Sequence, residues 1–562
     1  MSDVVKILAL GGLDENGRDC YVIEINDDIF VLDAGTCLPD KTVPGVDYMI
    51  PNPDYLIKNK DRIKAYIITH GHDESMSALK YFYHKAPAPV YGSKETLALL
   101  LGQALSLRID FKIKSVEVLP TSTVTIAGRE VRFFQTCHNT VNSSGVAIWT
   151  DQGWVVYTSD FIIDFVGQKK GYYFDLPALE EISKKPTLLL MAESKTATKP
   201  GYCSPRHRTL KILDKCFKEA DRRIFISCFW QNIYRIEEIF EACKNNKKKI
   251  YCYNDFTRSV IGLAKIAYPE ILHGVEIVDK ENILLVRDKD LVILIVGLDE
   301  ELYTEMSLLG EHANSDKRII LGEEDLFINV ALPRPTLETI CTRAMDKIYR
   351  TGCAVEWVKG DRVTSMHARE DDLKFFISVL KPKYYLPVRG NFINMMANAK
   401  LALTMNVGLN HSNVFVIDNG MELVLDGVNR PRLIPNEVNH INIEPILIDG
   451  IGVSHLGNQV IDDRLTLSQG GVVVIAATVD LKEKKIIAGP DCQMRGFVFV
   501  KEAEPLLKSL STIFVDEINT AFLSDKFDLD TIYANAVERS QRFIKRENGR
   551  EPCILPIIDV VE

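Results

Sequence analysis

Two histidines one residue apart, His70 and His72, close the apolar run "KAYIIT" in the stretch "IITHGHDESMSALKYF". In extended backbone, residues two apart project to the same side, so both imidazoles can approach one ion. Imidazole is a common ligand for zinc and suits manganese or iron as well. Three more polar groups follow apolar, strand-like runs: Asp33 after "DIFVL", His138 after "FFQTC" and Asp160 after "VVYTS". Three histidines and an oxygen donor would hold a divalent metal and leave room for a water, which is the chemistry of a metallohydrolase. Each residue also has a plainer reading. His138 in "QTCHNTV" fits a hydrogen-bonded turn histidine, and Asp160 before Phe161 fits a turn cap. Directly after the pair stand Glu74 and Ser75, where a second metal would want an aspartate and a histidine.

Holding such groups in register requires rigid strands. The first part of the chain supplies them as short β-branched or aromatic runs, among them "VKILALGG", "CYVIEINDDIFVLDAG", "VRFFQTCHN" and "WVVYTSDF". Helical patterns such as "ESMSALKYFYHKA" and "SKETLALLLGQALSL" lie between them, which predicts a layered α/β domain over residues 1–205. From 206 to 360, helix-period stretches alternate with buried strands, the pattern of a doubly wound sheet. Residues 361–428 read as a return to the first domain, 429–447 ("NRPRLIPNEVNHINIEPIL") as a linker, and 448–562 as a small α+β domain.

The length of 562 residues, with 46% hydrophobic and 26% charged, fits a globular chain of several domains. The net charge of −10 argues against a surface coated with positive charge for duplex binding, although it permits a local basic groove. The 12 cysteines form no CxxC pair, so neither a zinc ribbon nor a thioredoxin-like motif is suggested; Cys228 in "RRIFISCFW" reads as a reduced core residue. No long apolar run and no signal-peptide head is present, and a cytoplasmic location is expected.

Taken together, "GGLDENGRDCYVIEINDDIFVLDAG", "THGHDES", "CHNTVNSSGVAI", "YTSDFIID", "KPGYCSPRHR" and "LKPKYYLPVRGN" resemble the successive motifs of ribonuclease J. "DGIGVSHLGNQVIDDRLTLSQGGVVVIAATVD", "GPDCQMRGFVFV" and "ILPII" resemble its C-terminal domain. The resemblance implies an αββα metallo-β-lactamase sandwich with an inserted β-CASP domain. It also implies 5′-to-3′ exonuclease and endonuclease activity on RNA, in messenger decay and ribosomal RNA maturation, through two metals. His70, His72, His138 and Asp160 match the first metal's ligands, Asp160 being the carboxylate that bridges both metals, and Asp33 matches a supporting aspartate. His367 matches a ligand of the second metal, but Glu74 and Ser75 replace the other two, which leaves Glu74 and His367 as the metal donors of a degenerate second site.

Other departures from the family pattern concern the same reaction. Arg389 stands in "PVRGN" where the family has a histidine; a guanidinium can hold phosphate charge but cannot donate its proton. "VTSMH" keeps Ser365 for the 5′-phosphate pocket but puts Val363 and Met366 where a histidine and a glycine are expected. "GLDEELYTEM", with Asp299, Glu300, Glu301 and Glu305, replaces a phosphate loop of the β-CASP domain and would repel an RNA backbone. The expectation is therefore the second, catalytically degenerate paralogue of bacteria that carry two copies. It would hold one zinc or manganese ion per chain at most, or none, self-associate as a dimer or tetramer, bind RNA, and act in a complex with the active paralogue. The alternatives are an active ribonuclease using one metal, with Asp160 and Arg389 as its catalytic groups, and a mononuclear hydrolase of a small molecule.

Overall fold

The computed structural model describes residues 2–39, 43–166, 169–334, 337–360, 362–449, 458–496, 504–524 and 527–561. The "GIGVSHLG" and "FVFV" parts of the C-terminal resemblance lie outside them. The chain packs as two compact units, Met1–Cys37 with Met49–Ile446, and Leu38–Tyr48 with Leu447–Glu562.

The larger unit contains two sheets face to face. One has eight strands in the order Arg432–Ile434, Glu422–Leu425, Val5–Gly11, Cys20–Ile25, Asp28–Leu32, Ile63–Ile67, Val90–Gly92 and Ser115–Glu117. The other has six, in the order Tyr384–Val388, Thr187–Glu193, Gly153–Tyr157, Ser144–Thr150, Arg129–Gln135 and Thr123–Ile126. Strand alternation assigns side chains to layers. Phe133, Val155 and Tyr157 join Ile7, Ile23, Phe30 and Ile67 in the core between the sheets. Their neighbours Phe134, Trp154 and Val156 face the other way, onto Leu179, Phe376 and Ile377 of the helices Leu176–Ser183 and Glu370–Leu380. On the far side of the eight-stranded sheet, Tyr66 meets Phe82 and Tyr83 of the helical segment after the histidine pair.

The stretch expected as a linker is partly built into this unit. Arg432–Ile434 pairs antiparallel with Glu422–Leu425 as an edge strand, and Asn436–Asn439 forms a short helix. Between Thr187–Glu193 and Tyr384–Val388, which pair in parallel, the chain builds a separate parallel sheet in the order Lys249–Cys252, Leu291–Gly297, Ile224–Phe229, Leu326–Asn329 and Ala354–Trp357. Its inner strand "LVILIVG" is apolar throughout and fully buried, as a parallel strand covered by helices requires.

In the smaller unit, Val472–Asp480 lies between Lys485–Arg495 and Cys553–Val561. Its inward residues Val473, Ile475 and Val479 pack on Leu510, Phe514 and Ile518 of the helix Glu504–Phe522. Leu38–Tyr48 is tied to this unit by the Arg464 guanidinium, which donates to the Gly45 carbonyl at 2.8 Å, and by the Asp47 amide donating to Ile448.

The chain enters the five-stranded sheet through His207, which has no exposed surface; its Nε2 lies 3.6 Å from Asp164 Oδ2, and its ring faces Tyr234. Burial, outweighing the pull of Asp164 and aided by Arg208 and Arg235, depresses its pKa to about 4. The unfolded chain, with an ordinary imidazole near 6.5, binds the extra proton as pH falls between these values. Stability is thus intact above pH ~6.5 and declines as pH drops towards ~4. We expect His207→Leu to remove about 3 kcal/mol of the loss in unfolding free energy of the larger unit between pH 7 and pH 4. Chemical denaturation at both pH values measures it, and an unchanged slope would refute the assignment.

Candidate metal centre

Both sheets end together at one edge of the sandwich, and the chemistry-bearing residues lie just past their strand ends. Asp33 follows Asp28–Leu32, and His70 and His72 follow Ile63–Ile67. His138 follows Arg129–Gln135, Asp160 follows Gly153–Tyr157, and Arg389 follows Tyr384–Val388. Asp33, Ser159 and Arg389 turn away in the left-handed region, with φ of 60°, 54° and 59°. Such strain in residues other than glycine persists only where surrounding contacts over-determine it.

His70, His72, His138 and Asp160 are buried and bring their donor atoms together. His70 Nε2 is 3.2 Å from His72 Nδ1, and His138 Nε2 is 3.4 Å from the same atom. Asp160 Oδ2 lies 3.5 Å from His70 Nε2 and 3.6 Å from His138 Nε2. Ligands about 2.1 Å from a common tetrahedral centre stand about 3.4 Å apart, so these distances match four of the six edges of a zinc-sized tetrahedron. The outer ring nitrogens are engaged elsewhere: His70 Nδ1 by the Thr69 and Ser159 hydroxyls, His72 Nε2 by the Gln231 carbonyl at 3.1 Å, and His138 Nδ1 by the Met366 carbonyl at 2.7 Å. Those bonds direct the free lone pairs inward. Burial lowers the pKa of all three imidazoles, well below the ordinary value for His70 and His138, and neutral imidazole is the form that binds metal. The residues fit one divalent ion, which when bound would polarise a phosphoryl oxygen.

The second position has a different content. The short helix Asp73–Met76 is held against the loop after Asp33 by backbone bonds from Ala34 to Ser75 and Thr36 to Asp73, and against the start of Cys20–Ile25 by one from Asp19 to Glu74. Gly35 permits this contact, since a Cβ there would sit 1.5 Å from the Glu74 carbonyl oxygen. The Glu74 carboxylate, expected as a metal donor, pairs instead with the Lys195 ammonium at 3.0 Å. That ammonium is also 3.3 Å from Asp160 Oδ2. Lys195 holds the Glu74 carboxyl well below its usual range against the cost of burial. Ser75 Oγ, where the resemblance asks for an imidazole, accepts a hydrogen bond from Arg389 Nη2 at 2.9 Å. His367 Nδ1 lies 3.1 Å from Glu193 Oε2 and 3.7 Å from Asp160 Oδ1.

Arg389, expected to hold a phosphate, has no exposed surface and spends its donors inside the protein. Nε and Nη2 straddle the Asp160 carboxylate at 2.9 and 3.2 Å, Nη2 reaches Asp19 at 2.6 Å, and Nη1 reaches Asp33 at 3.1 Å and the Tyr157 hydroxyl at 2.8 Å. Asp33 also accepts from the Thr69 amide and the Tyr157 hydroxyl. Burial raises the Asp160 pKa, but Arg389 and then Lys195 outweigh it and hold the carboxyl well below its usual range. Ser365, the other expected phosphate contact, has an exposed side chain, while its carbonyl accepts from the Cys203 thiol and the His367 amide. Asp299, at the start of the helix Asp299–Gly310, is ion-paired with Arg334.

Sequence reasoning missed Glu193, Lys195, Asp19 and Tyr157. Glu193 ends the apolar strand "TLLLMAE", the same signal that found Asp33 and Asp160. Its buried carboxylate accepts from the amides of Phe161 and Ala368 and is raised in pKa by burial and by Asp160.

Residues 13–182 match the model of the metallo-beta-lactamase superfamily, and residues 459–561 match that of the ribonuclease J C-terminal domain. Over 561 residues, covering 99% of this chain and 98% of the relative, the sequence is 32% identical to Ribonuclease J2 of Bacillus subtilis (strain 168). The chain belongs to the ribonuclease J family. Ribonuclease J 2 of Staphylococcus aureus (strain NCTC 8325 / PS 47) is 29% identical with the same coverage, so the likeness is to the second ribonuclease J paralogue. A crystal structure of a protein of unknown function from Enterococcus faecalis V583 shares the fold, with a TM-score of 0.50 at 15% identity over 75% of this chain and 100% of that one. The fold is accordingly the α/β metallo-β-lactamase sandwich of a ribonuclease J, with a doubly wound insertion and an α+β C-terminal domain. The superfamily implies divalent metal binding. Among the described residues, no helix is long and apolar enough to cross a membrane.

Removing Arg389 would leave Asp19, Asp33 and Asp160 buried without their main counter-charge. Arg389→Met is expected to cost about 3–5 kcal/mol of stability, read by chemical denaturation; a variant as stable as wild type would show that the guanidinium does not hold the centre together.

Proposed function

We propose that this ribonuclease J-type protein of RNA processing has little or no hydrolytic activity of its own and works as a subunit beside an active ribonuclease J paralogue. The observation that carries the reading is the fate of Glu74 and Ser75: one is engaged by Lys195 and the other by Arg389, so neither offers a second metal the donors the family uses. The four-donor cluster of His70, His72, His138 and Asp160 holds one zinc or manganese ion. Proton transfer to a leaving oxygen also lacks its expected donor, because Arg389 stays protonated and is enclosed. The fold and C-terminal domain are retained, which fits a role in RNA binding and assembly rather than turnover.

On 5′-monophosphorylated RNA with manganese or magnesium, the protein is expected to be slower than an active ribonuclease J assayed in parallel by about 10²-fold or more, comparable to losing a transition-state contact. Comparable rates would refute the weak-subunit reading. They would favour the second reading, a one-metal ribonuclease, which the completeness of the four-donor cluster supports. Affinity capture from cells that carry both proteins is expected to recover the active paralogue, and its absence would sink the partner assignment.

His138→Ala removes one edge-forming donor and should abolish tight binding of the single ion in a zinc or manganese titration. Retained affinity would place the ion elsewhere.

A further inference from the structure

We infer that the ammonium of Lys195 is a resident cation that takes the place of the second metal ion, so that this position admits no ion while Lys195 is present. The inference rests on the one-metal reading of the site and names the residue that enforces it. Glu74 and Asp160 occupy the two positions that, by the family pattern, would share a second ion; Lys195 Nζ bridges them, 3.0 Å from one carboxylate and 3.3 Å from the other. The side chain is nearly enclosed, with 11% of its surface exposed. Its backbone is fixed as well, the Lys195 carbonyl accepting from Asn394 Nδ2 at 2.9 Å.

The surroundings otherwise suit a metal. His367 Nδ1 lies 3.7 Å from Asp160 Oδ1, and Glu193 forms a second group of donors with these two residues. Two carboxylates and an imidazole beside Glu74 would attract a divalent ion if the positive charge between them were absent. Arg389 covers the inner side of Asp160, where it also lies against Asp19 and Asp33, whereas the ammonium against Glu74 is that of Lys195, with His72 Nδ1 3.7 Å from the same carboxylate. Lysine therefore controls the outer, metal-accessible side of the pair.

The test is an ion count on the full chain, stripped with chelator and titrated with Mn²⁺ by calorimetry and elemental analysis. Wild type is expected to bind one ion, Lys195→Ala two, and Lys195→Arg, which keeps the charge, one. Two ions in wild type, or one in a folded Lys195→Ala, would overturn the inference. If Lys195→Ala does not fold, amine labelling of wild type read by mass spectrometry decides. Lys195 should label at the same rate with and without saturating Mn²⁺, and a rate that rises with the metal would show that an ion displaces the ammonium. The count is independent of RNA turnover. An active wild type holding one ion would refute the weak-subunit reading and leave this inference standing, whereas an inactive wild type holding two ions would overturn this inference and leave the weak activity standing.

Discussion

An ionised carboxylate with no access to water costs several kcal/mol unless charge and hydrogen bonds are supplied to it, and the centre of this protein contains three around one guanidinium. Asp19, Asp33 and Asp160 all contact Arg389. One positive charge does not hold three negative ones equally. Arg389 turns two nitrogens onto Asp160, which has Lys195 as well, and that carboxyl is kept ionised. Burial pushes Asp19 up to about 7 and raises Asp33, although Arg389 pulls both down. The two cations are thus distributed unevenly, and the carboxyl they pull down furthest is the one that faces the histidines.

The same arrangement explains why the strained turns sit where they do. Arg389 reaches all three carboxylates because the chain leaves Tyr384–Val388 in the left-handed region and continues through Gly390, whose φ is 115°. Asp33 leaves its strand in the same way and is then held by the Thr69 amide, the Tyr157 hydroxyl and Arg389, contacts from three separate strand ends. Each strained residue is fixed by groups from other strands, so the two sheets must be closed before the centre exists. The backbone carbonyls of Gln231 and Met366 extend this dependence to the segments that carry the inserted sheet and return from it.

Much of the layered fold was legible because its signals are local. "VRFFQ" alternates between two apolar faces, and Phe133 and Phe134 go to different cores as the period of two requires. "LVILIVG" does not alternate and is buried on both faces. The His70, His72, His138 and Asp160 positions were legible from one rule, a polar residue just past an apolar strand. Lys195 was not, because it lies two residues beyond its strand and a lysine there looks like any solvated turn residue. Nor does sequence distinguish an arginine that grips phosphate from one that is sealed inside; that depends on Asp19, Asp33 and Tyr157, which lie more than two hundred residues away in the chain. The stretch with Arg432–Ile434 carries proline and asparagine signals of a linker, yet pairing with Glu422–Leu425 makes it an edge strand.

Glu74, Ser75, Lys195 and Arg389 are best understood as one set of mutually dependent choices. Position 75 has no exposed surface, and its hydroxyl is in contact with both Arg389 Nη2 and His70 Nε2. An imidazole there would claim volume that the guanidinium uses, and close-packed interiors do not yield that volume freely. Arg389 therefore requires a small residue at 75. Shortening Glu74 to aspartate would draw the carboxylate back from Lys195 and leave a nearly enclosed ammonium with Asp160 as its remaining partner. Returning Glu74, Ser75 or Arg389 alone to the family pattern thus breaks a buried polar contact before it can create a metal ligand. Lys195 bars the second ion, and the contacts of Glu74, Ser75 and Arg389 keep the family's remaining donors from being restored one at a time.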